Sequence, residues 1–222
     1  MSLPYRPGYR IVFFDVDSTL VTIEGIDVLG RGDPEIVKLT EAAMNGEIPL
    51  DEVYARRLEM IRPTAADVDA LAQRYLASIV DGAPEVIAEL QRAGTIVHLV
   101  TAGIEQAILP LAEALEVRNV HAVRLRFAAG GAYEDFDRRS PLTRAGGKSL
   151  VVRDVRARTK GKAAFVGDGA SDLEAKGAVD LFVGFGGVRE RSVVREKSGV
   201  YVRTMSEVLS ALAEEVRGSR FE

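Results

Sequence analysis

Short, almost wholly apolar runs recur along the chain, at Arg10 to Phe14, Thr95 to Val100, Ala163 to Val166 and Leu181 to Val183, with Val200 to Val202 a weaker fifth. Runs of this length without polar alternation suit strands buried on both faces of a parallel sheet. Between the second and third runs, Ile104, Ile108, Leu111 and Leu115 fall near helical spacing. A strand-like alternation follows, with Val123, Leu125 and Phe127 set against Arg124 and Arg126. With Gly130-Gly131 and Tyr133 after it, that alternation predicts a half-exposed β-hairpin. The overall rhythm is βαβ, hence α/β.

One segment breaks the rhythm. From Glu24 to about Ser78 there is no convincing β run, but helical patterns cover Glu35 to Met44, Leu50 to Met60 and Ala65 to Ser78. Asp33-Pro34 and Pro63-Thr64 mark helix starts. A helical insert of this size after the first strand reads as a cap. The core resumes with Pro84 to Arg92, whose Val86, Ile87 and Leu90 form one helix face. The expected division is therefore a catalytic core of residues 1–21 and 79–222 and a helical cap of residues 22–78.

Composition narrows the function. The 47% hydrophobic and 28% charged fractions of the 222 residues are those of an ordinary folded globule. A net charge of −4 offers no basic excess for counterion release, so no nucleic-acid partner is expected. With no cysteine and two histidines, any metal must sit on oxygen ligands. No stretch approaches the ~20 apolar residues of a membrane span, and Met1 to Arg10 lacks the apolar run of a signal peptide. The expectation is a cytoplasmic protein with no membrane partner, and Met1-Ser2-Leu3 is given no functional weight.

In an open α/β sheet, ligands bind beyond the carboxyl ends of the strands. Asp15, Asp17, Ser18 and Thr19 follow the first run, and Thr101, Ala102 and Gly103 follow the second. Gly167-Asp168-Gly169-Ala170-Ser171-Asp172 follows the third, and Gly146-Gly147 precedes Lys148 at a helix start. Were Asp15, Asp17, Asp168 and Asp172 to converge, each pair ~4 Å apart would repel by ~4 kcal/mol at an effective dielectric near 20. Such a cluster needs cations. Lys148 can supply one, and Mg²⁺ suits carboxylates together with phosphate oxygens. Asp15 could attack phosphorus, Asp17 could move the protons, and Thr101, backbone N–H groups and Lys148 could neutralise the phosphoryl oxygens.

Singly, each feature has a bland reading. Asp and Thr cap helices and make turns, Gly-Asp-Gly is a common strand-to-helix connection, and a lone lysine is usually solvated. Four of them in order, each after a predicted strand, favour catalysis. The run Phe13-Phe14-Asp15-Val16-Asp17-Ser18-Thr19-Leu20, with Thr101, Lys148 and the Gly167 to Asp172 turn, resembles the haloacid dehalogenase superfamily of aspartate-nucleophile phosphatases. More narrowly, Glu24-Gly25-Ile26-Asp27, Ala43-Met44-Asn45-Gly46, Arg57-Leu58 and Gly184-Phe185-Gly186-Gly187 resemble its phosphoserine phosphatase branch.

The resemblance implies a Rossmann-like, doubly wound parallel sheet carrying the small helical cap. It implies Asp15 as nucleophile and Asp17 as general acid and base, with Mg²⁺ on Asp15, the Asp17 backbone carbonyl and Asp168. Asp172 would steady the metal's shell, and Thr101, Ala102, Gly103 and Lys148 would line or hold the phosphate. Glu24 would face a substrate ammonium, Arg57 would grip its carboxylate and Met44 would wall the pocket. The implied activity is hydrolysis of O-phosphoserine to serine and phosphate, as in serine biosynthesis, by a monomer or homodimer. His98 is expected on a strand face and His121 on the surface, while Arg156, Arg158 and Lys160 read as a solvated basic face.

Departures from the pattern touch substrate choice. Thr101-Ala102-Gly103 stands where Ser-Gly-Gly is usual, and Leu50 and Val188 replace an aromatic residue and an asparagine. Two rivals stay open: action on another small phosphorylated metabolite, including transfer to an alcohol, and a phospho-signalling receiver. A receiver needs neither Asp17 as proton donor nor an insert of some fifty residues.

Overall fold

The computed structural model describes residues 6–214; the ends of the expected core, residues 1–5 and 215–222, lie outside the described residues. The chain opens with β1 (Ile11–Phe14) and passes through α1 (Gly25–Leu29), α2 (Pro34–Asn45), α3 (Leu50–Ile61) and α4 (Ala65–Leu76). It returns through α5 (Ala83–Arg92) to β2 (Ile96–Ile104), then α6 (Glu105–Ala114) and β3 (Asn119–Val123). A hairpin, β4 (Leu125–Phe127) and β5 (Tyr133–Phe136), precedes α7 (Gly147–Arg158) and β6 (Ala163–Gly167). The rest is α8 (Ala170–Leu173), β7 (Leu181–Phe185), α9 (Ser192–Lys197), β8 (Val200–Val202) and α10 (Met205–Ala211).

Six parallel strands form one sheet in the order β3-β2-β1-β6-β7-β8. The strands are apolar because both faces are covered: every residue of β1 and β6 is buried. Chain order reverses beside β1, which pairs with β2 on one side and β6 on the other. That reversal opens a crevice at the carboxyl ends of these strands, where a ligand fits. The register sets Phe14 beside Leu99 and Val166, so Asp15, Thr101 and Asp168 reach the carboxyl edge at nearly one level, with Thr101 to Gly103 inside β2, where pairing with β3 shifts register, rather than after it.

One row of rings crosses the sheet. Phe13, Phe165 and Phe182 on three neighbouring strands stack with centroids 6.3 and 6.0 Å apart. His98 continues the row 5.1 Å from Phe13, and His121 lies 5.4 Å beyond. His98 Nδ1 and His121 Nε2 are 3.1 Å apart. His121, expected on the surface, is thus half-buried by its partner.

Helix starts follow the local chemistry. Asp33 caps α2 by accepting from Glu35 N, ahead of Pro34 in the first turn. Thr64 and Asp67 form a reciprocal capping box for α4. Helices α1 to α4 form the small cap after the first strand. They leave and rejoin the core through a narrow neck: Val21 bridges Ile79 in antiparallel fashion, Thr22 N donates to Ser78 O and Val80 N to Leu20 O.

Two readings need correction. Val123 does not open the hairpin; it ends β3, an edge strand of the main sheet, and the hairpin begins at Leu125. Most of β3 is half-exposed, which hid it from a search for apolar runs. Arg158 and Lys160 are exposed as expected, Arg158 pairing with Asp154 at the surface, whereas Arg156 is half-buried against Asp180 and the Ala178 carbonyl.

The fully buried Phe165 sits between Phe13 and Phe182 in the ring row. Phe165→Ala should cost about 3–5 kcal/mol through lost burial and a residual cavity. Urea unfolding should show this as a lower midpoint at unchanged slope, and a loss below about 1 kcal/mol would mean that the row does not anchor the core.

Candidate active site

The loop after β1 is wound tightly. Thr19, Leu20 and Val21 all donate backbone N–H groups to Val16 O, and Ser18 takes a left-handed φ of 53°. That conformation is strained for a non-glycine residue and is typical of functional loops. Asp15 is buried, and Lys148 Nζ, from the first turn of α7, contacts Asp15 Oδ1 at 2.7 Å and Asp172 Oδ1 at 2.5 Å. Asp172 Oδ2 accepts from Gly169 N at 2.8 Å. Gly167 permits this approach, because a Cβ there would meet Asp172 Cγ at 2.4 Å.

Asp15, Asp168 and Asp172 each bring a carboxylate oxygen within 4.8 Å of the others. Asp168 accepts from Arg191 Nε at 3.1 Å and from Thr19 Oγ1 at 3.4 Å. Arg191 also lies 3.6 Å from Glu24 Oε1, which accepts from Ser18 Oγ at 2.6 Å. Asp17 Oδ1 accepts from Gly25 N at 2.7 Å and Tyr75 Oη at 2.8 Å. Thr101 Oγ1 accepts from Gly103 N at 2.9 Å, leaving its own proton free to donate. Tyr54 Oη reaches down from α3 to Ala102 O at 2.9 Å.

One pocket gathers Asp15, Asp17, Glu24, Met44, Arg57, Thr101, Ala102, Gly103 and Lys148. Asp168 and Asp172 stand behind it, joined to Asp15 through the carboxylate cluster. Every residue expected at the site is therefore within this one region. Arg57 is buried on α3; its Nη1 donates to Thr40 Oγ1 at 3.1 Å, while its Nε has no hydrogen-bond partner.

Sequence reasoning passed over Arg191, Tyr75 and Tyr54. Arg191 follows Arg189-Glu190 in a charged run that reads as solvent-facing. Tyr75 continues the buried stripe Val68, Leu71, Ala72 of α4, a pattern in which a hydroxyl gives no separate signal. Tyr54 is masked in the same way beside Val53 and Leu58.

The electrostatics show a deficit of positive charge. Burial and the Asp172 charge push Asp15 up to about 7 against the pull of Lys148. Burial and Asp15 push Asp17 to about 6, and burial and Asp17 push Glu24 to about 7. Asp168 is driven well above the carboxylate range by burial and then by Glu24, Asp172 and Asp15. Burial would lower Lys148, but Asp15 and Asp172 overcome it and hold the ammonium protonated. A divalent cation fits this donor set: hard, all-oxygen, clustered and short of positive charge.

A haloacid dehalogenase-like hydrolase family model matches residues 12–175. Phosphoserine phosphatase from Bos taurus is 34% identical over 209 residues, covering 91% of this chain and 93% of that one. A phosphoserine phosphohydrolase-like protein from Francisella tularensis superposes with a TM-score of 0.84 at 24% identity, over 91% of this chain and 99% of that one. A phosphoserine phosphatase structure with a phospho-aspartyl intermediate analogue gives 0.82 at 25% identity, over 91% and 98%. The chain belongs to the haloacid dehalogenase-like hydrolases, as a phosphatase. Within that family its similarity is to the phosphoserine phosphatases. Among the described residues no helix is long and apolar enough to cross a membrane.

A buried carboxyl with a raised folded pKa stabilises the fold below its unfolded value and loses that contribution as pH rises through its folded value. For Asp15 the window runs from 3.8 to about 7. Asp15→Asn, which cannot ionise, should therefore raise the Tm of metal-free protein at about pH 8 by several degrees and change it little at about pH 4. Calorimetry at the two pH values checks this, and a lower Tm for the variant at the higher pH would reverse the assignment.

Proposed function

We propose that this phosphatase hydrolyses O-phosphoserine to serine and phosphate through an aspartyl-phosphate on Asp15. The observation that carries the substrate is Arg57. A buried guanidinium with an unpartnered Nε is costly unless an anion completes it, and a carboxylate does so bidentately. Across the same pocket, Glu24 would regain its charge beside a substrate ammonium. Lys148, Thr101 and Gly103 would meet the phosphate, while Met44 would wall the apolar side. An acid, a cation and a phosphate cradle in one pocket suit a small phosphorylated amino acid.

Mg²⁺, held by Asp15, the Asp17 backbone carbonyl and Asp168, would supply charge neutralisation at the phosphate oxygens, with Asp172 steadying the shell. In the first step a lone pair of Asp15 bonds phosphorus as the ester P–O bond breaks toward the serine oxygen. Asp17 gives that oxygen a proton. In the second step Asp17 takes a proton from water, the water oxygen bonds phosphorus and the Asp15 O–P bond breaks, restoring the carboxylate. Lys148 and the Thr101 hydroxyl stay with the phosphoryl oxygens throughout.

The same reading makes residues 22–78 a cap that opens on the neck at Val21 and Ile79, with hinges near Thr22 and Asp81-Gly82, and places the enzyme in the cytoplasm. Support for the cap comes from the slender connection and from Arg57 and Met44, which it brings over the core loops.

Phosphate release from O-phospho-L-serine with Mg²⁺ should exceed, in kcat/KM, that from phosphothreonine, phosphoethanolamine, sugar phosphates and nucleotides. Chelation should abolish it and Mg²⁺ should restore it, while Asp15→Asn should be inactive. A panel turned over without preference for phosphoserine would remove the Glu24 and Arg57 assignment, and silence on every ester would remove the phosphatase mechanism. Separately, Arg57→Ala should depress kcat/KM for phosphoserine by at least about a hundredfold, on the scale of a charged hydrogen-bonded pair, and change p-nitrophenyl phosphate little. Equal losses on both would give Arg57 a structural role.

A further inference from the structure

Tyr75 has no exposed surface and closes the buried stripe of α4. A buried phenol needs a partner for its hydroxyl, and Tyr75 spends its proton on Asp17 Oδ1 at 2.8 Å. Gly25 N donates to the same oxygen at 2.7 Å. Among the described residues no hydrogen bond reaches the other oxygen, Oδ2. That atom faces the phosphate loop: a Cβ built on Gly103 would stand 3.2 Å from Asp17 Oδ2 and 3.1 Å from Thr101 Oγ1.

The seat of the hydroxyl is shaped for it. A Cβ on Gly25 would lie 1.9 Å from Tyr75 Oη and 2.8 Å from the ring carbon that bears it. A side chain as small as alanine's would evict the hydroxyl, so Gly25 both donates to Asp17 and makes room for the second donor.

The geometry points to Tyr75 as a positioning residue for proton transfer, one that confines the exchangeable proton of Asp17 to Oδ2. A carboxylate oxygen offers about two lone-pair sites, and donors from Gly25 and Tyr75 fill both on Oδ1. The proton then resides on Oδ2, the oxygen turned toward the leaving group. This rests on the assignment of Asp17 as acid and base made above. During phosphoryl transfer Asp15 bonds phosphorus, the ester P–O electron pair goes to the leaving oxygen, and that oxygen takes the Oδ2 proton, leaving Asp17 ionised. During hydrolysis a water proton goes to Oδ2, the water oxygen bonds phosphorus and the Asp15 O–P bond breaks. With Tyr75 removed, one donor holds Oδ1, the proton can occupy either oxygen and the carboxyl can turn.

Leaving-group dependence reads this directly. An alkoxide is strongly basic and needs a delivered proton; p-nitrophenolate departs without one. The test compares kcat/KM, which covers steps through phosphorylation of Asp15, for O-phospho-L-serine and p-nitrophenyl phosphate with wild type and Tyr75→Phe. Tyr75→Phe should lower the alkyl value about 10- to 100-fold with KM little changed, and leave the aryl value within about threefold. Gly25→Ala should show the same bias by displacing the hydroxyl from the other side, with folding of both variants checked by thermal melts. Equal losses on the two esters, or no loss on the alkyl ester, would overturn the role of Tyr75. If wild type prefers a different alkyl phosphate, the substrate reading fails, and the alkyl-to-aryl ratio measured with that ester still decides the role of Tyr75.

Discussion

Five carboxylates, from Asp15, Asp17, Glu24, Asp168 and Asp172, converge where β1 and β6 end, and the fold must hold that concentration of like charge away from water. Each close pair costs several kcal/mol even at the effective dielectric of a protein interior. Lys148 answers part of the problem by bridging Asp15 and Asp172, and Arg191 answers another part between Asp168 and Glu24. The remaining deficit is visible in carboxyls pushed toward neutrality. The same arrangement that would be unstable as pure structure suits a divalent cation, whose positive charge offsets the clustered carboxylates. Function and the incompleteness of the charge balance are one feature.

The sheet supplies the positions. Because chain order reverses at β1, the loops after β1 and β6 and the irregular end of β2 splay around one crevice rather than crossing each other. Parallel register fixes their level, so Asp15, Thr101 and Asp168 come together without any long side chain having to reach. Lys148 is the exception: it enters from the first turn of α7, spanning the distance with its own flexible stem.

Most of this was legible in the chain because the chemistry is local. Asp15-Val16-Asp17 and Gly167 to Asp172 each lie immediately after a buried strand, so finding the strand finds the residue. Contacts that join distant segments left no such mark. Tyr75 meets Asp17 across 58 positions and Tyr54 meets Ala102 across 48, and both read in sequence as ordinary buried residues on an amphipathic face. Arg191 was hidden for the opposite reason, since a charged residue within a charged run carries no sign of burial; its value to Asp168 appears only when β6 and the segment after β7 are side by side. The edge strand β3 escaped because an edge needs less apolar surface than a strand covered on both faces.

The two tyrosines also bear on what a cap contributes. A lid that only excludes water could present any apolar surface, yet α3 and α4 each place a phenol oxygen on a core loop, one on the Ala102 carbonyl and one on Asp17. A hydroxyl demands a partner at defined distance and angle, where an apolar contact tolerates sliding. These bonds therefore set the orientation of the Thr101 to Gly103 segment and of the Asp17 carboxyl. On this view Ala102, whose methyl sits where glycine would leave the backbone free, and Tyr54, which holds its carbonyl, act together: the segment gives up flexibility, and the pocket gains a fixed shape.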